Sequence, residues 1–268
     1  MRLIPALCLA TALLPTVLTA DNATPQPTAL AQQAASRPAR PPTMQPVIDP
    51  AKRVELDKAS ALLKTSKKLT YDWFERGEKV GTVVMTNELV EVDGRQMLRM
   101  TTELRPGDPR DGHLKCVALC DPQEPLSLTQ LEIAGEGEFR TWRTSKLTVA
   151  DGRVTGVSRS KPYRRDVPAG AVLSLFEVLR AVTLMPDKPD TWFIFNYLDT
   201  YYTDTDWQRA IHCAEAGETT VGGKPIRAWK FEFVWPDDKT DEFWVDEDHV
   251  LRRAWIDEQM EWVLIGQD

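Results

Sequence analysis

The sequence predicts a mainly β protein, an antiparallel sheet with one long helix across a face and a short helix at the start of the domain. Three observations carry this. Residues 224–265 alternate apolar and polar side chains with a period of two and hold five of the chain's nine tryptophans, which is the grammar of a β-meander. Paired turn residues, Asp93-Gly94, Asp151-Gly152, Gly222-Gly223 and Asp237-Asp238, mark hairpin corners, where glycine tolerates the positive φ such turns demand. Only one long stretch among the strand-like runs has a strong helical period. Strands joined by hairpins without regular crossover helices form antiparallel rather than doubly wound sheets.

The chain opens with Met1-Arg2, an almost wholly apolar run from Leu3 to Leu18, and the small residue Ala20, which reads as a secretory signal peptide over residues 1–20. The run is broken by Pro5 and Pro15 and falls short of the roughly 20 apolar residues that span a bilayer, so no membrane span is expected after the leader is removed. Cys8 follows Leu7 near the start of the run, out of place for lipidation. Residues 21–50 hold seven prolines among Ala, Gln and Thr; they cannot bury enough surface to offset their ordering entropy and read as an extended tether. Residues 51–268 are then a single antiparallel β domain, long enough for one sizeable core.

A helix is expected over Lys52 to Lys64, where Val54, Ala59, Leu62 and Leu63 give a partial apolar stripe. Strands follow over 69–74, 80–92, 96–104, 114–119, 127–133, 139–149 and 154–163. From Ala171 to Leu184 the residues Val172, Leu175, Phe176, Leu179 and Val182 recur at three- and four-residue spacing between Pro168 and Pro186. This helix is apolar nearly all round, which suits burial across the face of a curved sheet. Strands resume at 192–198 and 207–214 and run through the meander to Ile265.

Charge narrows the partners. Without the leader the chain has 32 basic and 40 acidic residues, a formal charge of −8, which argues against nucleic acid and anionic lipid. His113, His212 and His249 are scattered without a second ligand at metal spacing. The acidic run Asp199, Asp204 and Asp206 lacks the glycine and final glutamate of a calcium loop. Gly217 to Lys224 is followed by Pro225 and reads as a hairpin corner, not a phosphate loop. No Gly-x-Ser-x-Gly elbow occurs. The expectation is therefore a non-enzyme with no catalytic residues, no metal and no cofactor. Of the three cysteines left after leader removal, Cys116 and Cys120 would be about 13 Å apart on one continuous strand, too far to bridge. Cys120-Asp121-Pro122 reads as a strand end, which favours Cys120 with Cys213 as the disulfide candidate in an oxidising compartment and Cys116 as a buried free thiol.

The run Phe243-Trp244-Val245-Asp246, then Glu247-Asp248-His249 and Val250 to Ala254, resembles a recurring ending of secreted bacterial β-clam proteins. In that group a strand ending in a Trp-x-Asp-like triplet turns tightly and returns with an arginine-bearing strand. The corner Gly222 to Pro225 and the strand Ala228 to Trp235 fit the same pattern. The group includes periplasmic lipoprotein carriers, their outer-membrane receptors and families of unknown function. The resemblance implies a strongly curved antiparallel sheet, a β-clam or incomplete barrel, with helices plugging its concave side, in some members around an apolar cavity. The tether and the acidic composition depart from a shuttle, so the fold is carried over and the activity is not.

One face of strand 228–235 is wholly aromatic through Trp229, Phe231, Phe233 and Trp235, and something must cover it. Two readings follow. In the first, the chain is a secreted or periplasmic binding module of the cell envelope, its core filled by side chains, with an envelope macromolecule as partner. In the second, it carries or senses an apolar small molecule such as an acyl chain between sheet and helix, with Phe176 and Leu179 lining the site. Trp244, on the opposite pleat from Phe243 and Val245, is the expected ligand or partner contact in either case.

Overall fold

Left-handed backbone at short turns sends the chain back on itself: Arg76-Gly77 (φ 50° and 81°), Asp93-Gly94 (51° and 74°) and Asp151-Gly152 (50° and 69°) each close a hairpin. The computed structural model describes residues 48–137, 139, 144–198, 208–221, 223–235 and 240–268. The expected leader, nearly all of the expected tether, the acidic run 199–207 and the Asp237-Asp238 corner lie outside the described residues.

Fifteen strands form one sheet: β1 Lys68–Glu75, β2 Glu78–Val92, β3 Arg95–Pro106, β4 Leu114–Cys120, β5 Leu128–Gly135, β6 Ser145–Ala150, β7 Arg153–Ser158, β8 Lys161–Asp166, β9 Val172–Leu173, β10 Thr191–Tyr197, β11 Gln208–Val221, β12 Lys224–Val234, β13 Thr240–Asp246, β14 Leu251–Ile256 and β15 Met260–Gln267. Their order is β8-β7-β6-β5-β4-β3-β2-β1-β15-β14-β13-β12-β11-β10-β9. Every pairing is antiparallel except β9 with β10, and β1 pairs with β15, so the start and end of the domain meet mid-sheet. The sheet is neither closed nor strongly curled, which corrects the expected clam or incomplete barrel. Hairpin grammar dictates which strands are neighbours; it does not dictate how far the sheet bends.

One face carries the core. A rung of directly opposed residues runs Trp73, Trp262, Ala254, Phe243, Phe231, Cys213 across six strands, each 2% exposed or less. Against this face lies α2, Leu175–Ala181, continued by a 3-10 turn Val182–Leu184; Phe176, Val178, Leu179, Ala181, Val182 and Leu184 are all buried. The expected helix over 171–184 thus begins late. Val172 and Leu173 instead pair in parallel with Asn196 and Tyr197, and the Val172 N–H donates to Ser127 Oγ at 3.0 Å.

The helix expected over 52–64 is also corrected. Asp49 caps a 3-10 turn Pro50–Lys52, the chain then runs extended, and only Leu62–Thr65 is α-helical (α1), after a 3-10 turn Ala59–Ala61. The extended part finds its partners elsewhere: Val54 N–H donates to Trp192 O (2.9 Å), Asp57 N–H to Leu184 O (3.0 Å) and Ala59 N–H to Glu124 O (2.9 Å). Tertiary hydrogen bonds override a weak helical stripe. No helix among the described residues is long and apolar enough to cross a membrane.

Candidate functional site

Alternation along β10 to β15 sends a second set of side chains to the face away from α2. Two adjacent rungs result. Trp192, His212, Glu232, Glu242, Trp255 and Glu261 are directly opposed on successive strands from β10 to β15. Beside them run Glu215, Lys230, Trp244, Arg253 and Val263.

These groups pair with one another. Lys230 Nζ lies 3.1 Å from Glu232 Oε1, 2.6 Å from Glu242 Oε1 and 6.0 Å from the centre of the Trp244 ring. Burial works against its charge, but the two carboxylates outweigh that and hold the ammonium above its ordinary pKa. Arg253 Nε sits 2.6 Å from Glu261 Oε1 with its guanidinium 5.8 Å from the Trp255 ring. Trp192 stacks on His212, ring centres 4.1 Å apart and planes 15° apart, and the imidazole lies 3.6 Å from Glu232 and 3.8 Å from Asp190. The result is a plane of aromatic surfaces separated by charged groups, able to offer π faces and hydrogen-bonding ions together.

A different arrangement occupies the space beneath α2. Arg180, 1% exposed, donates from Nε to Asn87 Oδ1 (2.8 Å) and from Nη1 to Thr102 Oγ1 (2.9 Å) and Phe176 O (3.2 Å). Its Nη2 donates to Thr86 O (3.5 Å) and Thr101 O (2.8 Å). Glu177, also 1% exposed, accepts from the Ser174 hydroxyl and from the backbone N–H groups of Glu177 and Ser174. Burial raises the Glu177 carboxyl and lowers the Arg180 guanidinium, while each charge supports the other. Neither residue stood out in the sequence, although Ser174-x-x-Glu177 is the capping-box signature of a helix start.

The expected contacts divide between these two places. Trp244 lies on the second face as expected and is half-buried beside Lys230 and Arg253. Phe176 (3% exposed) and Leu179 (1%) are packed in the interior with Arg180. Of the aromatic face, Phe231 and Phe233 are fully buried, whereas Trp229 and Trp235 are half-buried, Trp235 donating its indole N–H to Asp241 Oδ2 at 2.9 Å. The Cys120–Cys213 disulfide is not formed. Cys120 is on β4 and Cys213 on β11, with β3, β2, β1, β15, β14, β13 and β12 between them, and both are free buried thiols, as is Cys116. Burial pushes Cys120 up to about 12, Cys213 up to about 11 and Cys116 well above its ordinary value, the reverse of what a nucleophilic thiolate needs.

Gly217 and Lys224 fall in the β11–β12 hairpin, as expected of a corner. His249 stands in the turn after β13 with φ 56°, its Nε2 3.7 Å from Asp187, whose carboxyl is raised by burial against the pull of His249 and a hydrogen bond from Trp229. No group of three or more His, Cys, Asp or Glu among the described residues is arranged to hold a metal ion. Comparison of the chain with protein-family models, curated proteins and solved structures finds no match.

Proposed function

We propose that this chain is a non-catalytic binding module of the bacterial cell envelope, and that the second face of its sheet, centred on Trp244, is where it meets a partner macromolecule. The observation that carries the reading is the filling of the interior. The space an acyl chain would take between sheet and helix holds Phe176, Leu179 and Arg180, and the five hydrogen bonds of that guanidinium go to sheet and helix groups. Admitting an apolar molecule there would strip a buried cation of its partners, at a cost of several kcal/mol. Buried thiols held in their neutral form support the non-catalytic part. The placement in the envelope rests on the apolar leader and on the resemblance of residues 243–254 to secreted β-clam proteins.

Native mass spectrometry of the protein purified from its own host tests this against the carrier reading. The mass of the polypeptide alone is expected. A stoichiometric lipid or acyl adduct that persists through purification would overturn the proposal.

A further inference from the structure

The two ends of the sheet are finished differently. At one end β9, Val54 and Arg53 cover β10, through Leu198 N–H to Leu173 O (2.8 Å), Val54 N–H to Trp192 O (2.9 Å) and a parallel bridge between Arg53 and Trp192. At the other end β8 pairs with β7 alone, and no described strand lies on its outer side.

The β7–β8 turn tells which backbone groups face outward. Arg159 and Ser160, at φ 52° and 64°, form a two-residue corner in which the flanking pair Ser158 and Lys161 exchanges hydrogen bonds. Alternation then directs Tyr163 and Arg165 to β7, and Val167 N–H, of the same parity, donates to Gly152 O at 2.8 Å. Pro162, Arg164 and Asp166 therefore turn their backbone groups to the open side. Lys161 and Pro162 guard the corner end, as edge strands often require; Arg164 and Asp166 leave two N–H and two C=O groups unguarded.

Charge sets this end apart as well. Residues 145–166 hold six basic side chains (Lys146, Arg153, Arg159, Lys161, Arg164, Arg165) and two acidic ones, a net +4 within a chain of net −7. On the second face Arg164 is exposed beside Thr155, and Pro162 is exposed beside Val157, which at 44% is one of the three exposed large apolar residues among the described residues. Asp166 stands opposite Arg153, its carboxylate 2.7 Å from Arg153 Nε.

We propose that β8 is a docking edge for an extended segment of a partner protein, which adds as a sixteenth strand and places an acidic residue opposite Arg164, an apolar residue opposite Pro162 and a non-acidic residue opposite Asp166. Main-chain bonds to Arg164 and Asp166 supply the register, and the alternate side chains supply the choice of partner. The open backbone favours a peptide strand over an anionic lipid surface, which would use the charge and ignore the N–H groups. This edge lies at the far end of the sheet from Trp244 and stands or falls independently of it.

The test uses the whole protein, a blocked peptide Thr-Lys-Thr-Glu-Thr-Val-Thr and amide NMR titration. Shifts are expected to concentrate at the Arg164 and Asp166 amides, and N-methylation of alternate peptide amides should weaken binding about tenfold or more. Replacing the peptide Glu by Lys should weaken it similarly, with Arg164→Glu restoring that peptide. Equal binding of the N-methylated peptide would overturn the proposal, because charge alone would then suffice. So would no response to the parent peptide, with or without binding of phosphatidylglycerol vesicles. If R164E fails to fold, the N-methylated peptide still decides the question on the unaltered protein.

Discussion

The two faces of this sheet both hold opposite charges near one another, and they treat them in opposite ways. Beneath α2, Arg180 and Glu177 are each 1% exposed and surrounded by fixed donors and acceptors. On the other face Lys230 keeps 16% of its side chain exposed, Glu232 26% and Glu242 34%, and the three share their charges across strands. Stripped of water, a charge must be matched by geometry. Half-wet, it can rearrange and be screened. The covered face is therefore specified by its polar network as well as its packing, while the second face is free to exchange contacts with a partner.

The sharpest break in the comparison is Arg180→Met. It leaves Asn87 Oδ1 and the Thr102 hydroxyl without the Arg180 donor and Glu177 without its counter-charge, so urea denaturation should show a loss of about 3–5 kcal/mol. A loss below about 1 kcal/mol would mean that the covered network is as forgiving as the outer one. Phe231→Ala removes a fully buried ring from the central rung and should cost about 3–5 kcal/mol through the cavity it leaves. Trp235→Ala, at a half-buried position and with one lost bond to Asp241, should cost about 1–3 kcal/mol.

Proton binding sharpens the same contrast. Each buried thiol has its folded pKa raised, so the folded protein keeps protons that the unfolded chain releases near 9. Stability should be unaffected by these groups below about pH 9 and should fall as pH rises from there through about 11 and 12. Burial raises Tyr71 as well and adds to the loss in the same direction. Replacing the three cysteines by alanine should flatten the thiol part of the pH dependence. Mass spectrometry after iodoacetamide at pH 8 should find Cys116, Cys120 and Cys213 unmodified in the native protein and modified in guanidinium.

What the sequence revealed follows from which forces are local. Period-two alternation located β1 to β5, β10 and the meander closely, because each strand has one dry face. The expected single strand 154–163 is a hairpin, β7 and β8, and its corner Arg159-Ser160 contains neither glycine nor asparagine to announce it. Val172 and Leu173 fit a helical stripe and a strand equally well, and only their pairing with β10 decides. Arg180 was invisible as a buried group even in a helix read as apolar nearly all round, because its acceptors Asn87 and Thr102 are remote in sequence. Trp244 was legible because its neighbours Phe243 and Val245 fix its pleat.

The smallest expected effects belong to the second face, and they test its assignment most directly. Lys230→Met leaves Glu232 and Glu242 directly opposed on β12 and β13 with no cation between them, so the like charges should cost about 1 kcal/mol, more at low salt than at high. Trp244→Ala removes a half-buried ring on the pleat opposite the buried Phe243 and Val245, and should stay within about 1 kcal/mol of the parent in any salt. Salt separates the two: the lysine variant should approach the parent as ionic strength rises, and the tryptophan variant should not move. If Trp244→Ala proves more damaging than Phe231→Ala, that ring is doing the work assigned to the core. The second face would then be a structural surface, and the partner contact placed there would have to be sought elsewhere on the sheet.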